Sequence, residues 1–495
     1  MELHDTSVTT ADGVVRHHTR VRFIGDKLPA SSVTFEVAEQ WLDWVDPSPG
    51  ALIPAALILA ARLGDDLTVD APIDDDMRAA CLAAIGLQSR WWGWRPPELH
   101  LPSGRPPRHA PEAGAGCGLF FTRGGDSWGS LLTGLEAPAD RRPTHLITVD
   151  GDVHLPEEVR SAVLLGTEQA AAEAGLPWIG VRTDLRSLID PHSDWGRHTH
   201  GAALAGVGYL LRRGLGEIRI AATNWWPDAT PWGSHPSLDP LWSTPGLRVV
   251  HDGTEEHRWR RVARVSRHRP AIESLDVCWE SQRATNCGRC KKCLLVMTTL
   301  FLSGEPGWEG TFDVPFDAAN ISALSAENPN PLINILDHCD AIGLRADPLR
   351  QRWESVASTP FHGFVYRWPP VQPRVPVRTV DGGPLGDDLT LGVGQLLARL
   401  GVRVDHLADT GPEARSALVV GLAGGGLVVA EPGGIQAVAG PEDLVAPLAR
   451  IGVTADRRLA FDPDGFEART ETWAARRRLD ATGNTIPTVA GTGRQ

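Results

Sequence analysis

Residues 117–135 have the sequence CGLFFTRGGDSWGSLLTGL, and this stretch decides the fold class of the chain. The first five residues form an apolar run typical of a buried strand, and residues 128–135 are predicted to be a helix. Residues 122–127 between them contain two glycines and two hydroxyl side chains, a composition that predicts a tight turn with accessible backbone amides. The stretch therefore predicts the first strand–turn–helix unit of an α/β sheet.

Further strands and helices alternate after this unit. The predicted strands are 145–149, 178–181 and 217–222, and the predicted helices are 156–174 and 201–213. Such alternation predicts a central parallel, doubly wound sheet with helices on both faces. Ligands bind such sheets beyond the carboxyl ends of the strands, and the turn at 122–127 lies at one of these ends.

Pro- and Gly-rich segments divide the chain of 495 residues into four predicted regions. An N-terminal α+β region covers residues 1–110, with helices expected at 51–63 and 76–85. The sheet domain covers 115–303, and a helical extension covers 304–368. A small Gly-rich C-terminal domain, 374–495, contains no catalytic motif and is expected to have a helix near 391–400.

Composition and charge exclude several classes of protein. With 48 Lys and Arg against 61 Asp and Glu, the net charge is −13, which argues against binding duplex nucleic acid through bulk charge. The longest apolar run, 51–61, is too short to cross a bilayer. The N-terminal residues contain neither a basic region nor an apolar one, so we expect a cytoplasmic protein with no membrane partner. A homodimer is compatible with the sequence.

Four of the seven cysteines, Cys278, Cys287, Cys290 and Cys293, fall within sixteen residues in the spacing C-x8-C-x2-C-x2-C. Four thiolates complete the tetrahedral shell of a structural zinc site, and Gly288 allows a tight turn between two of them. An iron–sulfur cluster is the main alternative, and disulfides are disfavoured in a cytoplasmic chain. We expect Zn²⁺ here, with a structural role, because a closed shell leaves no open coordination position.

The turn at 122–127 has two interpretations from its residues alone. A helix N-terminus with flexible glycines binds phosphate, with hydroxyl donors from Thr122 and Ser127 and with Asp126 as a helix cap or a Mg²⁺ ligand. An ordinary capped turn has the same composition. No Gly-Lys-Ser/Thr loop of the Walker type is present.

The turn and the cysteines together resemble the PP-loop ATP pyrophosphatases, whose loop is Ser-Gly-Gly-x-Asp-Ser. More narrowly, the chain resembles the branch that contains 7-cyano-7-deazaguanine synthase, which has four zinc cysteines in the same spacing. The resemblance covers about residues 115–303. It implies a HUP-type sheet, similar to that of the adenine nucleotide alpha hydrolases, and activation of a carboxylate by AMP transfer with release of pyrophosphate.

The resemblance also implies roles for individual residues. The phosphates of ATP would be held by the loop residues Thr122, Gly124, Gly125, Asp126 and Ser127. Val149 and Asp150 would lie near the adenine and ribose, and the four cysteines would bind zinc. Arg123 replaces the family's first loop glycine, and it would either pair with phosphate as a catalytic residue or obstruct the loop.

Polar residues after the later strands predict a site for the acceptor. They are Asp184, Arg186, His198, His200, His235, Asp239, His251 and Asp252. We take His235 and Asp239 as catalytic candidates that orient the acceptor or move a proton. The alternative is that the Pro- and Gly-containing segment around them is a rigid turn in which His235 only caps a neighbour.

The expected function is that of an ATP-dependent adenylating enzyme of the ligase type, acting on a small molecule or a peptide terminus in a biosynthetic pathway. Two alternatives remain open at this point. One is a catalytically silent nucleotide-binding scaffold, which an obstructing Arg123 would favour. The other is a PP-loop sulfur transferase, for which no second cysteine pair is available.

Overall fold

The computed structural model describes residues 1–24, 28–102, 116–152, 155–224, 231–278 and 285–323. It also describes parts of 335–357 and the backbone of short strands between residues 365 and 456. The fold is α/β, built around one ten-stranded sheet that is mostly parallel, as predicted. The strands of this sheet are β1 (Glu2–Ala11), β2 (Val14–Arg22), β3 (Ser31–Ala38), β4 (Leu67–Val69), β5 (Leu99–His100), β6 (Gly116–Phe120), β7 (His145–Asp150), β8 (Trp178–Thr183), β9 (Leu215–Ala221) and β10 (Arg248–Asp252).

The helices that matter for the site alternate with these strands. They are α1 (Ile53–Leu63), α2 (Asp75–Trp92), α3 (Gly125–Glu136), α4 (Glu157–Glu173), α5 (Leu185–Ile189), α6 (His200–Leu210), α7 (Arg258–Ser266), α8 (Arg269–Glu273), α9 (Lys291–Ser303) and α10 (Pro348–Ala357). A single π-helical turn, Trp195–Thr199, leads into α6. The predicted elements of the sheet domain all form, and α2 extends further than expected, through Trp92.

The strand order in the sheet domain is β10-β9-β6-β7-β8, and all four strand pairs are parallel. The chain moves outward from β6 through β7 to β8, then returns to the other side of β6 to form β9 and β10. The order therefore reverses between β6 and β9, and such a reversal opens a crevice at the carboxyl ends of the strands. The turn at 122–127 follows β6 and lies at this edge of the sheet.

Hydrophobic residues pack on both faces of the sheet, as a doubly wound arrangement requires. Leu119 and Phe121 belong to the core that contains Trp128 of α3 and Val262 of α7. Phe120 points to the opposite face, into the core formed with α1 and α6. Alternate residues of β6 thus anchor both layers, which fixes the position of the turn that follows.

The N-terminal region continues the same sheet, because β3 pairs antiparallel with β8 through Phe35 and Glu36. A buried ion triad strengthens this junction: Arg212, just after α6, donates to Asp46 at 2.8 Å and to Asp74 at 2.7 Å. Asp74 also caps α2 by accepting from the Met77 amide. The N-terminal region and the sheet domain therefore share one continuous sheet.

The regions after residue 303 are described less completely. Short 3₁₀ turns at Glu309–Thr311 and Ala318–Ala323 precede α10. Backbone strands such as Val419–Ala423 and Gly426–Glu431 lie in the predicted C-terminal domain. The helix predicted near 391–400 falls outside the described residues, except that its first two positions end a strand, Thr390–Gly392.

Candidate functional site

The turn at 122–127 places the start of α3 at the carboxyl edge of the sheet, where the strand order reverses between β6 and β9. Gly124 precedes the helix in an extended conformation, and no side chain of the described residues caps the first turn. Ser127 Oγ accepts from the Thr122 amide at 3.3 Å and donates to the Gly124 carbonyl at 3.1 Å. The two hydroxyl residues therefore close the loop on itself and leave the first amides of α3 able to receive an anion.

The guanidinium of Arg123 pairs within the protein, an arrangement that differs from the predicted phosphate fork. Its backbone has φ +58°, a left-handed conformation that is unusual for a residue with a side chain. Its guanidinium donates to the Ser274 carbonyl at 3.2 Å and to Asp276 Oδ2 at 2.9 Å. It also lies against Gly166 of α4, where an added Cβ would be 2.6 Å from the guanidinium carbon. This pairing differs from the predicted phosphate fork, because two donors of Arg123 bind the segment 274–276 and fix the loop to it.

Asp126, the acidic residue of the loop, is paired with an arginine that sequence reasoning missed. Its carboxylate accepts from Arg258 Nε at 2.8 Å and from Nη2 at 3.2 Å. Lys292, at the start of α9, is a second cation that interacts electrostatically with Asp126. The loop therefore lies in a cationic environment although the chain as a whole is acidic.

Arg261 is the second missed residue, and it is almost fully buried, with 1% of its surface exposed. Its Nη1 donates to the carbonyl of Ala222, the residue that follows β9. Within the described part of the chain, its Nε and Nη2 have no hydrogen-bond partner. Burial lowers the pKa of this guanidinium, and the carboxylate of Asp126 opposes that shift. A buried cation with unused donors is costly unless an anion is bound there.

A pattern in the sequence could have predicted that Arg258 and Arg261 lie near the loop. Arg258 and Arg261 are three residues apart and therefore share one face of α7. Two glycines four residues apart on α3 let α7 approach closely: a Cβ at Gly129 would be 2.9 Å from Arg261 Cβ, and one at Gly125 would be 3.2 Å from Val262. Two glycines four residues apart at the start of a helix such as α3 indicate that a second helix packs directly against it.

Val149 and Asp150 end β7, one strand away from the loop, as predicted. Asp150 is buried and accepts two hydrogen bonds from Arg160 of α4, at 2.8 and 2.9 Å. Arg182 lies 3.5 Å from the same carboxylate. Asp150 therefore lies at the expected edge of the sheet, and its carboxylate is already paired with arginines.

His235 is buried in a turn, with 1% of its surface exposed. Its Nδ1 accepts from the Ser237 amide at 2.9 Å, and its ring lies 5.0 Å from the ring of Trp91. The turn is fixed by close backbone contact, because a Cβ at Gly201 would be 2.2 Å from the Gly233 carbonyl. The interpretation of His235 as a turn cap accounts for these contacts, and its assignment as a catalytic candidate is corrected.

Asp239 is completely buried, with 0% exposure, and it organises three groups around it. Its Oδ1 accepts from the His235 amide at 3.2 Å. Its Oδ2 accepts from Ser234 Oγ at 2.6 Å and pairs with His251 Nδ1 at 2.7 Å. Asp239 is thus a residue that positions others.

The remaining acceptor candidates lie in three places. Asp184 accepts from the Thr34 amide, and the His198 ring packs between Trp92 and Trp94 at 5.2 and 5.0 Å, so both serve the junction with the N-terminal region. Arg186 is paired with two aspartates. Three residues, His200, His251 and Asp252, lie at the carboxyl edge of the sheet or next to Asp239.

The four cysteines form a compact cluster after α8. Their sulfur atoms all lie within 4.8 Å of one another, and the Cys278–Cys290 and Cys287–Cys293 sulfur distances are both 3.9 Å. Tetrahedral coordination with metal–sulfur bonds of about 2.3 Å requires sulfur separations of about 3.8 Å, so the cluster fits such an ion. The structure therefore contains a candidate metal site at the four predicted residues.

Backbone amides and the side chain of Asn286 hold the four cysteines in place. Amides donate to the sulfurs of Cys287 and Cys290 at 3.3–3.4 Å, which stabilises negative sulfur. Buried Asn286 accepts from the Val277 amide at 2.7 Å and from the Cys278 amide at 3.2 Å, which joins the two halves of the cluster. Gly288 has φ +67°, as the tight turn between two ligands requires.

Comparison of the chain with family models, curated proteins and solved structures finds no match. A search of the described helices also finds none with the length and apolar character needed to cross a membrane.

Proposed function

We propose that this protein binds ATP at the start of α3 and transfers AMP to a carboxylate, with release of pyrophosphate. The observation that carries the proposal is Arg261, a buried guanidinium beside the start of α3. Among the described residues, two of its donor atoms have no hydrogen-bond partner and no side chain caps that helix. A helix N-terminus and a buried cation both favour an anion at the same place. The reversal of strand order between β6 and β9 is also where doubly wound sheets bind nucleotides.

The resemblance of the loop to the PP-loop ATP pyrophosphatases supports AMP formation in particular. Thr122, Gly124, Gly125 and Ser127 would surround the β- and γ-phosphates, while Arg258 and Arg261 balance the charge of the departing pyrophosphate. Asp126 would be a ligand of Mg²⁺, which neutralises phosphate charge when it is bound. Catalysis would then depend mainly on positioning and electrostatic stabilisation.

The strand order β10-β9-β6-β7-β8 supports the proposal of a HUP-type sheet. The four cysteines would hold Zn²⁺, and the ion would join the segment after α8 to α9. Because four protein ligands close the coordination shell, this zinc would stabilise the fold and take no part in the reaction.

Sulfur transfer is disfavoured by the positions of the other cysteines. Cys117 lies at the amino end of β6, the edge opposite the loop, and Cys81 and Cys339 are buried. A silent nucleotide-binding protein remains the second candidate, favoured by the pairing of Asp126 with Arg258. The same experiment separates these functions.

The test measures ATP binding by calorimetry and the products of radiolabelled ATP with Mg²⁺ and a small-molecule cell extract. We expect AMP and pyrophosphate. Arg261→Gln is expected to weaken ATP binding by about 10- to 100-fold, because charge-assisted hydrogen bonds are lost. Arg260→Gln, an exposed arginine on the same helix, is the matched control and should bind as the wild type does. ADP formation would refute the adenylation, and tight ATP binding without turnover would favour the silent protein.

A further inference from the structure

The contact between Asp239 and His251 determines which nitrogen of His251 carries a proton. The two side chains meet at 2.7 Å through Asp239 Oδ2 and His251 Nδ1. An ionised carboxylate only accepts hydrogen bonds, so Nδ1 must be the donor. Neutral His251 therefore has its proton on Nδ1 and a lone pair on Nε2, the arrangement of a base held by a carboxylate.

Ser234 belongs to the same cluster but cannot be a nucleophile activated by this histidine. Its Oγ lies 2.6 Å from Asp239 Oδ2 and 3.3 Å from His251 Nδ1. In a hydrolase triad the serine contacts the nitrogen remote from the carboxylate, so these contacts have the wrong geometry. Ser234 instead donates to Asp239 and helps to hold the carboxylate in place.

Strand register places His251 at the edge of the sheet where the phosphate loop begins. His251 pairs with Ile220 of β9, and Val250 is level with Arg219, which pairs with Leu119 of β6. His251 is therefore level with the last residue of β6, two strands away. At about 4.8 Å per strand, its backbone lies about 10 Å from that of β6, with β9 between them, and all three strands end at the same carboxyl edge of the sheet.

Among the described residues, the other titratable side chains near His251 are less suited to accept a proton. His235 uses its Nδ1 to accept from the Ser237 amide inside a turn. His200 pairs through Nδ1 with the Gly196 carbonyl, and burial lowers its pKa, opposed by Asp239 and assisted by His251. Asp252 follows His251 on β10 and lies on the opposite face of the strand.

We infer that His251 Nε2 is the base for a nitrogen nucleophile that displaces AMP from the acyl adenylate. This inference rests on the proposed function. The nucleophile's nitrogen forms a bond to the acyl carbon while the bond from that carbon to the AMP phosphate oxygen breaks. The proton lost by the nitrogen passes to His251 Nε2 and then to solvent, and the products are an amide and AMP. Asp239 is the positioning residue that keeps the lone pair on Nε2.

The test compares two nucleophiles, ammonia and hydroxylamine, with ATP, Mg²⁺ and a small-molecule extract that supplies the carboxylate. Hydroxylamine is neutral and strongly nucleophilic at pH 7, so it needs no enzymic base. We expect His251→Gln to reduce ammonia-dependent AMP release by about 100-fold and to leave hydroxylamine-dependent release nearly unchanged. Asp239→Asn should show the same selectivity, and exposed His100→Gln is the matched control.

Each outcome bears on a different claim. Equal loss with both nucleophiles in a folded, metal-containing His251→Gln protein would overturn the base role and leave the adenylation intact. No AMP from the wild type with either nucleophile would refute the proposed function itself. A second variant, His251→Ala, allows rescue: added imidazole should restore ammonia-dependent release, and failure to do so in the folded protein would also count against the base.

Discussion

Arg258 holds the carboxylate of Asp126 with two hydrogen bonds, 2.8 Å from Nε and 3.2 Å from Nη2, at the start of α3. The negative charge nearest to the proposed phosphate site is therefore already balanced by an arginine. A metal ion that arrives with ATP must compete with Arg258 for this carboxylate. Asp126 would therefore affect the binding of both the anion and the metal ion.

Asp126→Asn separates these two effects. Removal of the negative charge should tighten binding of metal-free pyrophosphate about tenfold, because the cations of α7 then face the anion alone. The same change should abolish Mg²⁺-dependent turnover while the metal content and fold are retained. Calorimetry with pyrophosphate and the AMP assay measure the two effects. Glu136→Gln, at the exposed far end of α3, is the control, and weaker pyrophosphate binding by Asp126→Asn would contradict the expectation.

Arg123 provides a test of backbone strain in the loop. Its left-handed conformation costs a residue with a Cβ about 1 kcal/mol, and glycine avoids this cost. Both Arg123→Gly and Arg123→Ala lose the ion pair with Asp276, so their difference isolates the backbone contribution. We expect the glycine variant to be more stable by about 1 kcal/mol in urea unfolding. At Arg260, the third residue of α7, the order should be reversed, because alanine is the better helix former. Equal stabilities of the two variants at position 123 would exclude strain there.

The cysteine cluster predicts about one zinc ion per chain, held tightly enough to contribute to folding. Elemental analysis of the purified protein measures the metal directly. Cys290→Ser should lose the ion and lower the melting temperature, because Cys290 is both a ligand and the cap of α9. Cys117→Ser, outside the cluster, should retain the metal. Iron with visible absorption, or a stable fold without any metal, would contradict the zinc assignment.

His338 predicts a pH dependence of stability. Burial lowers its pKa to about 4, and its ring stacks on Trp259 at 4.3 Å. The unfolded chain, with a histidine pKa of 6.5, binds the proton more readily, so stability is complete above pH 6.5 and falls as the pH drops toward 4. The loss should approach about 3 kcal/mol, since each pKa unit corresponds to about 1.4 kcal/mol.

His338→Phe retains an aromatic ring against Trp259 and removes this titration. The free energy of unfolding, measured by denaturant titration at several pH values, should depend less on pH in this variant than in the wild type. The difference should be confined to the range between pH 4 and 6.5. Exposed His100→Gln should leave the profile unchanged, and parallel profiles for wild type and His338→Phe would refute the prediction.

Local patterns were sufficient to predict the four-cysteine cluster and the turn at 122–127. The cysteine spacing lies within sixteen residues, and the strand, turn and helix around 122–127 follow from neighbouring residue types. The same local reasoning failed for side-chain direction. Neither the burial of His235 nor the pairing of Arg123 with Asp276 can be read from the residues next to them, because their partners include the Trp91 ring and a carboxylate 153 positions away.

The alternation of apolar strands and helices in the chain was enough to establish an α/β sheet with a strand-to-helix turn at 122–127, since those periodicities come from backbone geometry over a few residues. Tertiary structure alone decided the order of the strands, the joining of β3 to β8 and the approach of α7 to α3. Each of these depends on contacts between distant segments, such as Asp126 with Arg258, 132 residues apart. Packing of the helices on the sheet determines those contacts. It places Arg258 and Arg261 beside the loop, and His251 at the same carboxyl edge of the sheet.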